Sequence, residues 1–173
     1  NMHYGFWDNL DPCLENLGKA QEQYTQLLFK YFPKKKKKLK ILDIGGGAGE
    51  TAKKLISLGH SVTVVVPSNI LSRRCLENTD NKAEVHDIKF EDYKPKKNQT
   101  FDLCLFSESF QYIPAKIALE KAKGLLSKDG QILVADCFRS DLKNNSHNRR
   151  PGGGHPLSEM LKLIKDIDLN IIS

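Results

Sequence analysis

Apolar residues recur at threes and fours from Leu14 through Leu17, Ala20, Tyr24, Leu27, Leu28 and Tyr31, with charged and amide side chains between them. That spacing predicts an amphipathic helix over 14–31, ended before Pro33 because the residue preceding a proline is driven out of helical geometry. The pattern then changes. A short apolar run at 40–44 predicts a buried strand, and a helical pattern at 51–58 follows, with Gly59 placed to end it in a left-handed turn. Strand two is expected over 61–66, almost continuous in valine as a strand covered on both faces should be. Ser68 or Asn69 can cap a short helix ending near Glu77, and 83–87 reads as strand three. The run FDLCLF at 101–106 predicts strand four. A helix over 115–126 is expected to bury Ile117, Ala118, Ala122, Leu125 and Leu126, and a turn at Lys128, Asp129 and Gly130 to lead into strand five, 131–138. A polar stretch over 139–155, a helix over 157–167 and the start of another strand at 170–172 complete the order.

Strands alternating with helices argue an α/β fold, a doubly wound and mostly parallel sheet. The expected organisation is an N-terminal segment, 1–39, holding the first helix and a lysine-rich linker, followed by a core over 40–173. Ligands in such sheets bind beyond the carboxyl ends of the strands, so the residues just after each strand carry the candidate chemistry. After strand one come Gly45, Gly46, Gly47 and Gly49, opening a helix. Glycine suits a turn that visits positive φ and lets a ligand approach the backbone. Gly45, Gly47 and Gly49 fall as GxGxG and are followed by Glu50, whereas the dinucleotide fingerprint GxGxxG wants glycine at position 50. Asp43, at the end of the same strand, is expensive to bury without a partner.

The segment KILDIGGGAGE at 40–50 resembles the first motif of the class I S-adenosylmethionine-dependent methyltransferases, and the resemblance extends over most of the chain. It implies a Rossmann-like fold, S-adenosylmethionine as cofactor, and Asp43, Gly45, Gly47 and Gly49 beside it. The family closes its sheet with a hairpin of two final strands. Here only the start of the first is present, which reads as a truncation of the C-terminal strands. Strand two in the family ends in an acidic residue that accepts from both ribose hydroxyls. Val66 stands there, so Ser68, a water or a backbone group would have to take over. Asp87 resembles the residue that meets the adenine amine, with the backbone of Ile88 meeting a ring nitrogen; a turn aspartate is the plain alternative. The segment SESFQYI at 107–113 resembles the loop after strand four in small-molecule methyltransferases, placing Ser107 by the cofactor and Glu108 and Gln111 near the methyl group or the acceptor. The opening His3, Tyr4, Gly5, Phe6 and Trp7 resembles an N-terminal aromatic lid that folds over the cofactor, with Tyr4 in contact; a hydrophobic plug on the sheet is the alternative. His155 or His147, in the polar stretch, has the chemistry of a general base, as does Glu108.

Composition adds limits. At 173 residues, 39% hydrophobic and 28% charged, the chain has the make-up of one ordinary globular domain. No run reaches the length of a membrane span, and no secretory leader pattern stands at the start, so a cytoplasmic protein is expected. The net charge of +6 is carried by the run 34–38 with Lys40, and no aromatic residues interleave those lysines. A solvated linker explains the run better than a nucleic-acid surface. Cys13, Cys75, Cys104 and Cys137 are scattered, which reads as reduced structural thiols, and no spacing suggests a metal site. The expected function is methyl transfer to an oxygen, nitrogen or carbon of a small-molecule acceptor. The alternative is a catalytically weakened binding protein of the same fold, motivated by Val66.

Overall fold

The computed structural model of the protein describes residues 4–140 and 154–172. Five strands, β1 (Lys40–Ile44), β2 (Ser61–Val65), β3 (Glu84–His86), β4 (Phe101–Ser107) and β5 (Leu126–Ala135), form one parallel sheet in the order β3-β2-β1-β4-β5. The helices α1 (Leu14–Lys30), α2 (Glu50–Ser57), α3 (Asn69–Asn78), α4 (Ala115–Leu125) and α5 (Leu157–Asp166) lie around it. The expected doubly wound architecture is therefore present. The order reverses direction between β1 and β4, which makes this the switch point where a crevice opens.

Alternation along the strands divides the interior into two cores. Leu42, Cys104 and Phe106 face α4 and α5, where Ala118, Leu119, Ala122 and Met160 complete one cluster. Ile41, Leu103 and Leu105 face the other way, against Ala52 and Leu55 of α2 and Cys75 of α3, with Phe29 and Phe32 packed at the margin. Successive side chains of a strand point to opposite faces, so a strand apolar at every position needs cover on both. β4 is buried along its whole length.

One buried charge belongs to the frame rather than to the site. Asp102 in β4 accepts from Lys36 Nζ at 2.6 Å, Lys40 N at 2.9 Å and Ser127 Oγ at 2.9 Å. Burial pushes its carboxyl up, but those three donors outweigh it and hold the group below the usual range. Lys35 adds a longer ion pair to Asp129. Part of the lysine run thus tethers the linker to the sheet.

Boundaries depart from expectation in four places. The turn foreseen at Lys128, Asp129 and Gly130 lies inside β5: the register jumps from Phe101–Leu126 to Leu103–Gln131, so these residues form a bulge. β5 stops at Ala135 instead of Phe138, because the Asp136 carboxylate takes the N–H groups of Cys137 (2.7 Å) and Gln111 (3.0 Å) and breaks the ladder. Two short parallel strands not foreseen, β6 (Phe138–Arg139) and β7 (His155–Pro156), follow. Finally, 170–172 is not a strand. A turn through Asp168, at φ +54, leads the chain off α5 along the open side of β5, where Ile171 and Ile172 remain exposed.

Candidate functional site

Register brings the strand ends level. Ile44 lies beside Val65 on one side and Phe106 on the other, so the glycine turn, Val66 and Ser107 leave the sheet together. Between them opens a cavity of about 610 Å³, within the range of small-molecule sites.

The glycine turn forms its floor. Gly45 at φ +76 donates its N–H to Val65 O at 2.8 Å, and a Cβ there would stand 2.4 Å from Ser109 Cβ. Ser109 Oγ in turn donates to Ile44 O at 2.5 Å, clamping the loop after β4 onto the end of β1. Gly47 also has positive φ and lines the cavity. Gly49 does not line it. It sits at the start of α2 with φ +83, where a Cβ would meet Cys75 Sγ at 2.6 Å, so this glycine serves the approach of α2 to α3.

Asp43 lies under the turn, 1% exposed, and its Oδ2 has no hydrogen-bond partner among the described residues. Burial pushes its carboxyl up from 3.8 to about 7. Buried polar atoms are nearly always paired, so an orphan oxygen on a cavity wall marks where a ligand donor is missing. A second orphan, Gln111 Oε1, lies on the same cavity.

The loop after β4 supplies the opposite wall. Ser107 Oγ donates to Tyr24 Oη at 3.3 Å, and that hydroxyl donates to Ala135 O at 3.2 Å. Burial pushes the Tyr24 hydroxyl up to about 12. Glu108 adopts φ +53, unusual for a residue with a side chain, and its own N–H donates to Ala135 O at 2.8 Å. Its carboxylate accepts from Tyr4 N, 3.2 Å to each oxygen. Burial pushes this carboxyl up, the Tyr4 N–H opposes that, and the Asp136 charge adds to it. Tyr4 and Tyr112 stand at the mouth, each 70% exposed.

Of the residues singled out in the sequence, Tyr4, Asp43, Gly45, Gly47, Ser107 and Glu108 come together around the cavity. Ser68, Asp87, Ile88 and His155 lie outside its lining. Ser68 Oγ caps α3, accepting from Leu71 N at 3.4 Å. Asp87 and Ile88 are exposed beyond β3, and the next residues, Lys89, Phe90 and Glu91, line the cavity instead; Phe90 is drawn in by an edge-on contact with Phe106. His155 is buried with Nε2 3.2 Å from Phe110 O and 3.1 Å from Ile113 O, and its ring stands edge-on to Phe110. Two acceptors facing one nitrogen require it to be the protonated one, so His155 ties β7 to the loop after β4. His3 and His147 lie outside the described residues.

Tyr24 and Asp136 were not foreseen as part of this region. Tyr24 reads in sequence as one more apolar position of α1. Asp136 follows the last residue of β5, three positions before the polar stretch that begins at Arg139, and carries no local mark. Among the described residues no group of His, Cys, Asp and Glu is arranged to hold a metal ion, and no helix is long and apolar enough to cross a membrane.

The comparisons agree with this architecture. A family model described as a methyltransferase domain matches residues 17–168. Among curated proteins no sequence matches significantly. The [4+2]-cyclase SpnF superposes with a TM-score of 0.83 at 17% identity, covering 100% of this chain and 66% of its own. Geranyl diphosphate C-methyltransferase from Streptomyces coelicolor A3(2), crystallised with Mg2+, geranyl diphosphate and S-adenosyl-L-homocysteine, gives 0.79 at 14% identity, covering 96% of this chain and 72% of its own. The N-methyltransferase NodS from Bradyrhizobium japonicum WM9, with S-adenosyl-L-homocysteine, gives 0.57 at 17%, covering 65% of this chain and 59% of its own. The chain thus spans about two thirds of the length of such structures, and at these identities the likeness carries the fold. The family match over 17–168, with the parallel β3-β2-β1-β4-β5 sheet and its glycine-turn cavity, establishes that the chain belongs to the methyltransferase-domain family and has the class I, S-adenosylmethionine-dependent methyltransferase fold.

Proposed function

We propose that the cavity at the switch point binds S-adenosylmethionine and that the protein methylates a small-molecule acceptor, working in a reducing compartment such as the cytosol. The observation that carries this reading is Asp43, a buried carboxylate with an unpartnered oxygen beneath the glycine turn of a roomy cavity. The donor set fits the cofactor. Asp43 is an acceptor for its amine or hydroxyl hydrogens, Gly45 and Gly47 leave backbone open to it, and Val65, Val66 and Leu71 offer apolar cover to a purine. When bound, the cofactor supplies an electrophilic methyl group on a sulfonium.

The chain's own contribution is placement and exclusion of water. Ser109 clamps the turn to the loop after β4, and the Tyr24–Ser107 bond holds that loop against α1. Fixing two reactants at attack distance in a dry pocket supplies much of the rate for a displacement of this kind. Tyr4 closes the mouth through its bond to Glu108, and aromatic rings there attract a cation. Glu108 is the group we assign as proton acceptor, since it lines the cavity and burial raises its carboxyl above the ordinary carboxylate range, the direction that suits a base. His155, bound through Nε2 to two carbonyls, acts as a fastener in this reading.

A second reading has a specific basis. Val66 is 3% exposed on the cavity wall, Ser68 is committed to its helix cap, and no carboxylate stands at the end of β2. A weakened cofactor site in a binding protein accounts for that as well. Calorimetric titration with S-adenosylmethionine, S-adenosylhomocysteine and NAD separates the two. Micromolar binding of the sulfur nucleosides and none of NAD is the expected result; no binding of either sulfur nucleoside sinks the enzyme reading.

A further inference from the structure

The acceptor end of the cavity has a chemistry of its own, built from the loop after β4 and the N-terminal segment. Gln111 Oε1 is buried there with no donor among the described residues. Its backbone is fixed, because Gln111 N donates to Asp136 Oδ2 at 3.0 Å. Glu108 stands beside it on the same wall, in a left-handed conformation that residues with a side chain rarely adopt. Its two oxygens share one N–H, that of Tyr4, which leaves acceptor capacity on both. Neither Glu108 nor Asp136 has a Lys, Arg or His ion-pair partner among the described residues. The basic side chain that lines the cavity, Lys89, comes instead from the loop after β3. Tyr4 and Tyr112 complete this end with two exposed rings.

Every feature of this wall favours a positive, donating group. The orphan carbonyl needs an N–H or O–H. The Glu108 carboxylate on this wall, without an ion pair among the described residues and with the Asp136 charge behind it, attracts a cation and repels a carboxylate or phosphate. Tyrosine rings attract ammonium groups through their faces. An alcohol answers only the first of these demands, and a carbon nucleophile none.

Resting on the methyltransferase reading, we infer that the acceptor is an amine, donating N–H to Gln111 Oε1 with its charge held by Glu108, backed by Asp136, and by the rings of Tyr4 and Tyr112. Methylation then falls on nitrogen. The ammonium gives one proton to the Glu108 carboxylate, the freed lone pair forms the new N–C bond, and the bonding pair of the broken C–S bond stays with sulfur. Gln111 is on this account a specificity residue, which orients the nitrogen rather than taking its proton.

The test uses isosteric pairs titrated into the full chain, free and loaded with S-adenosylhomocysteine: 2-phenylethylamine against 2-phenylethanol, and n-hexylamine against n-hexanol. Each amine is expected to bind at least tenfold more tightly than its alcohol at pH 7.5. Glu108→Gln is expected to erase that preference, and Gln111→Leu to weaken the amine severalfold with the preference retained. Asp136→Asn, which keeps a hydrogen-bonding group at the strand end, is expected to narrow the preference. Alcohols binding as tightly as amines, or no amine binding to a chain that does bind S-adenosylhomocysteine, overturns the amine assignment alone. Failure to bind S-adenosylhomocysteine overturns the methyltransferase reading and this inference with it.

Discussion

The backbone N–H of Tyr4 points at both carboxylate oxygens of Glu108, 3.2 Å from each, across 104 positions of sequence. The same segment is anchored behind by Phe6 N to Ala20 O at 2.8 Å, and Gly5 lies so close to α1 that a Cβ would stand 2.8 Å from Ala20 Cβ. Tyr4→Pro removes the N–H, while Tyr4→Ala keeps it and removes only the ring. At this part-exposed position the charge-assisted bond is worth about 1 kcal/mol, roughly a fivefold effect. Tyr4→Pro should therefore weaken S-adenosylhomocysteine about fivefold beyond Tyr4→Ala in calorimetry. Equal affinities of the two variants would show that the latch contributes nothing.

Asp43 predicts an inverted pH dependence of stability. Burial raises its folded pKa from 3.8 to about 7, so between these values the folded chain binds the extra proton. Stability from this group falls as pH rises through that window, by about 4 kcal/mol in all. Asp43→Asn should flatten the slope, stabilise the free protein at pH 8 and weaken cofactor binding. Urea unfolding at pH 5 and pH 8 measures this, and equal slopes in the two proteins would remove Asp43 as the cause.

Gly49 is expected to matter for folding rather than for the ligand. Its alanine variant meets Cys75 Sγ at 2.6 Å in a backbone conformation of φ +83. A loss of about 2 kcal/mol follows, which at this chain length lowers Tm by about 4–8 °C. Cys75→Ala in the same chain should recover part of the loss, since contacting sites couple. Additive effects in the double variant would show that Cys75 is not the obstacle.

Val66→Asp places a carboxylate at the end of β2, on the cavity wall. Hydroxyls donating to a charged acceptor bind roughly 1.5–3 kcal/mol better than to none, and burial of the new charge offsets part of that. A rise of severalfold in S-adenosylhomocysteine affinity is expected. No rise would mean that ribose is already well held by another group.

His155→Phe keeps the ring against Phe110 and removes the donor to Phe110 O and Ile113 O. Leaving those carbonyls short of a partner costs about 1–3 kcal/mol. The pH dependence of kcat should be unchanged, because the loss is structural. Disappearance of the acid limb in this variant would restore His155 as the base.

By itself, the sequence determined the elements and the ligand-binding end of the sheet. Helix α1, strand β1 with its glycine turn, the valine-rich β2 and the FDLCLF strand β4 are all set by patterns local in the chain, and those patterns record which faces must leave water. Asp43 stood out for the same local reason, as a carboxylate in an apolar run. Only the tertiary structure decided which polar groups answer one another. Ser109 reaches Ile44 O across 65 positions, Tyr24 meets Ser107 across 83, and Asp136 breaks β5 by accepting from Gln111, 25 positions back. It also turned Asp87 outward, gave Ser68 to a helix cap and tied His155 to two carbonyls. Periodicity is a property of neighbours along the chain, whereas a hydrogen-bond partner is chosen by proximity in space, which exists only once the strands are in register.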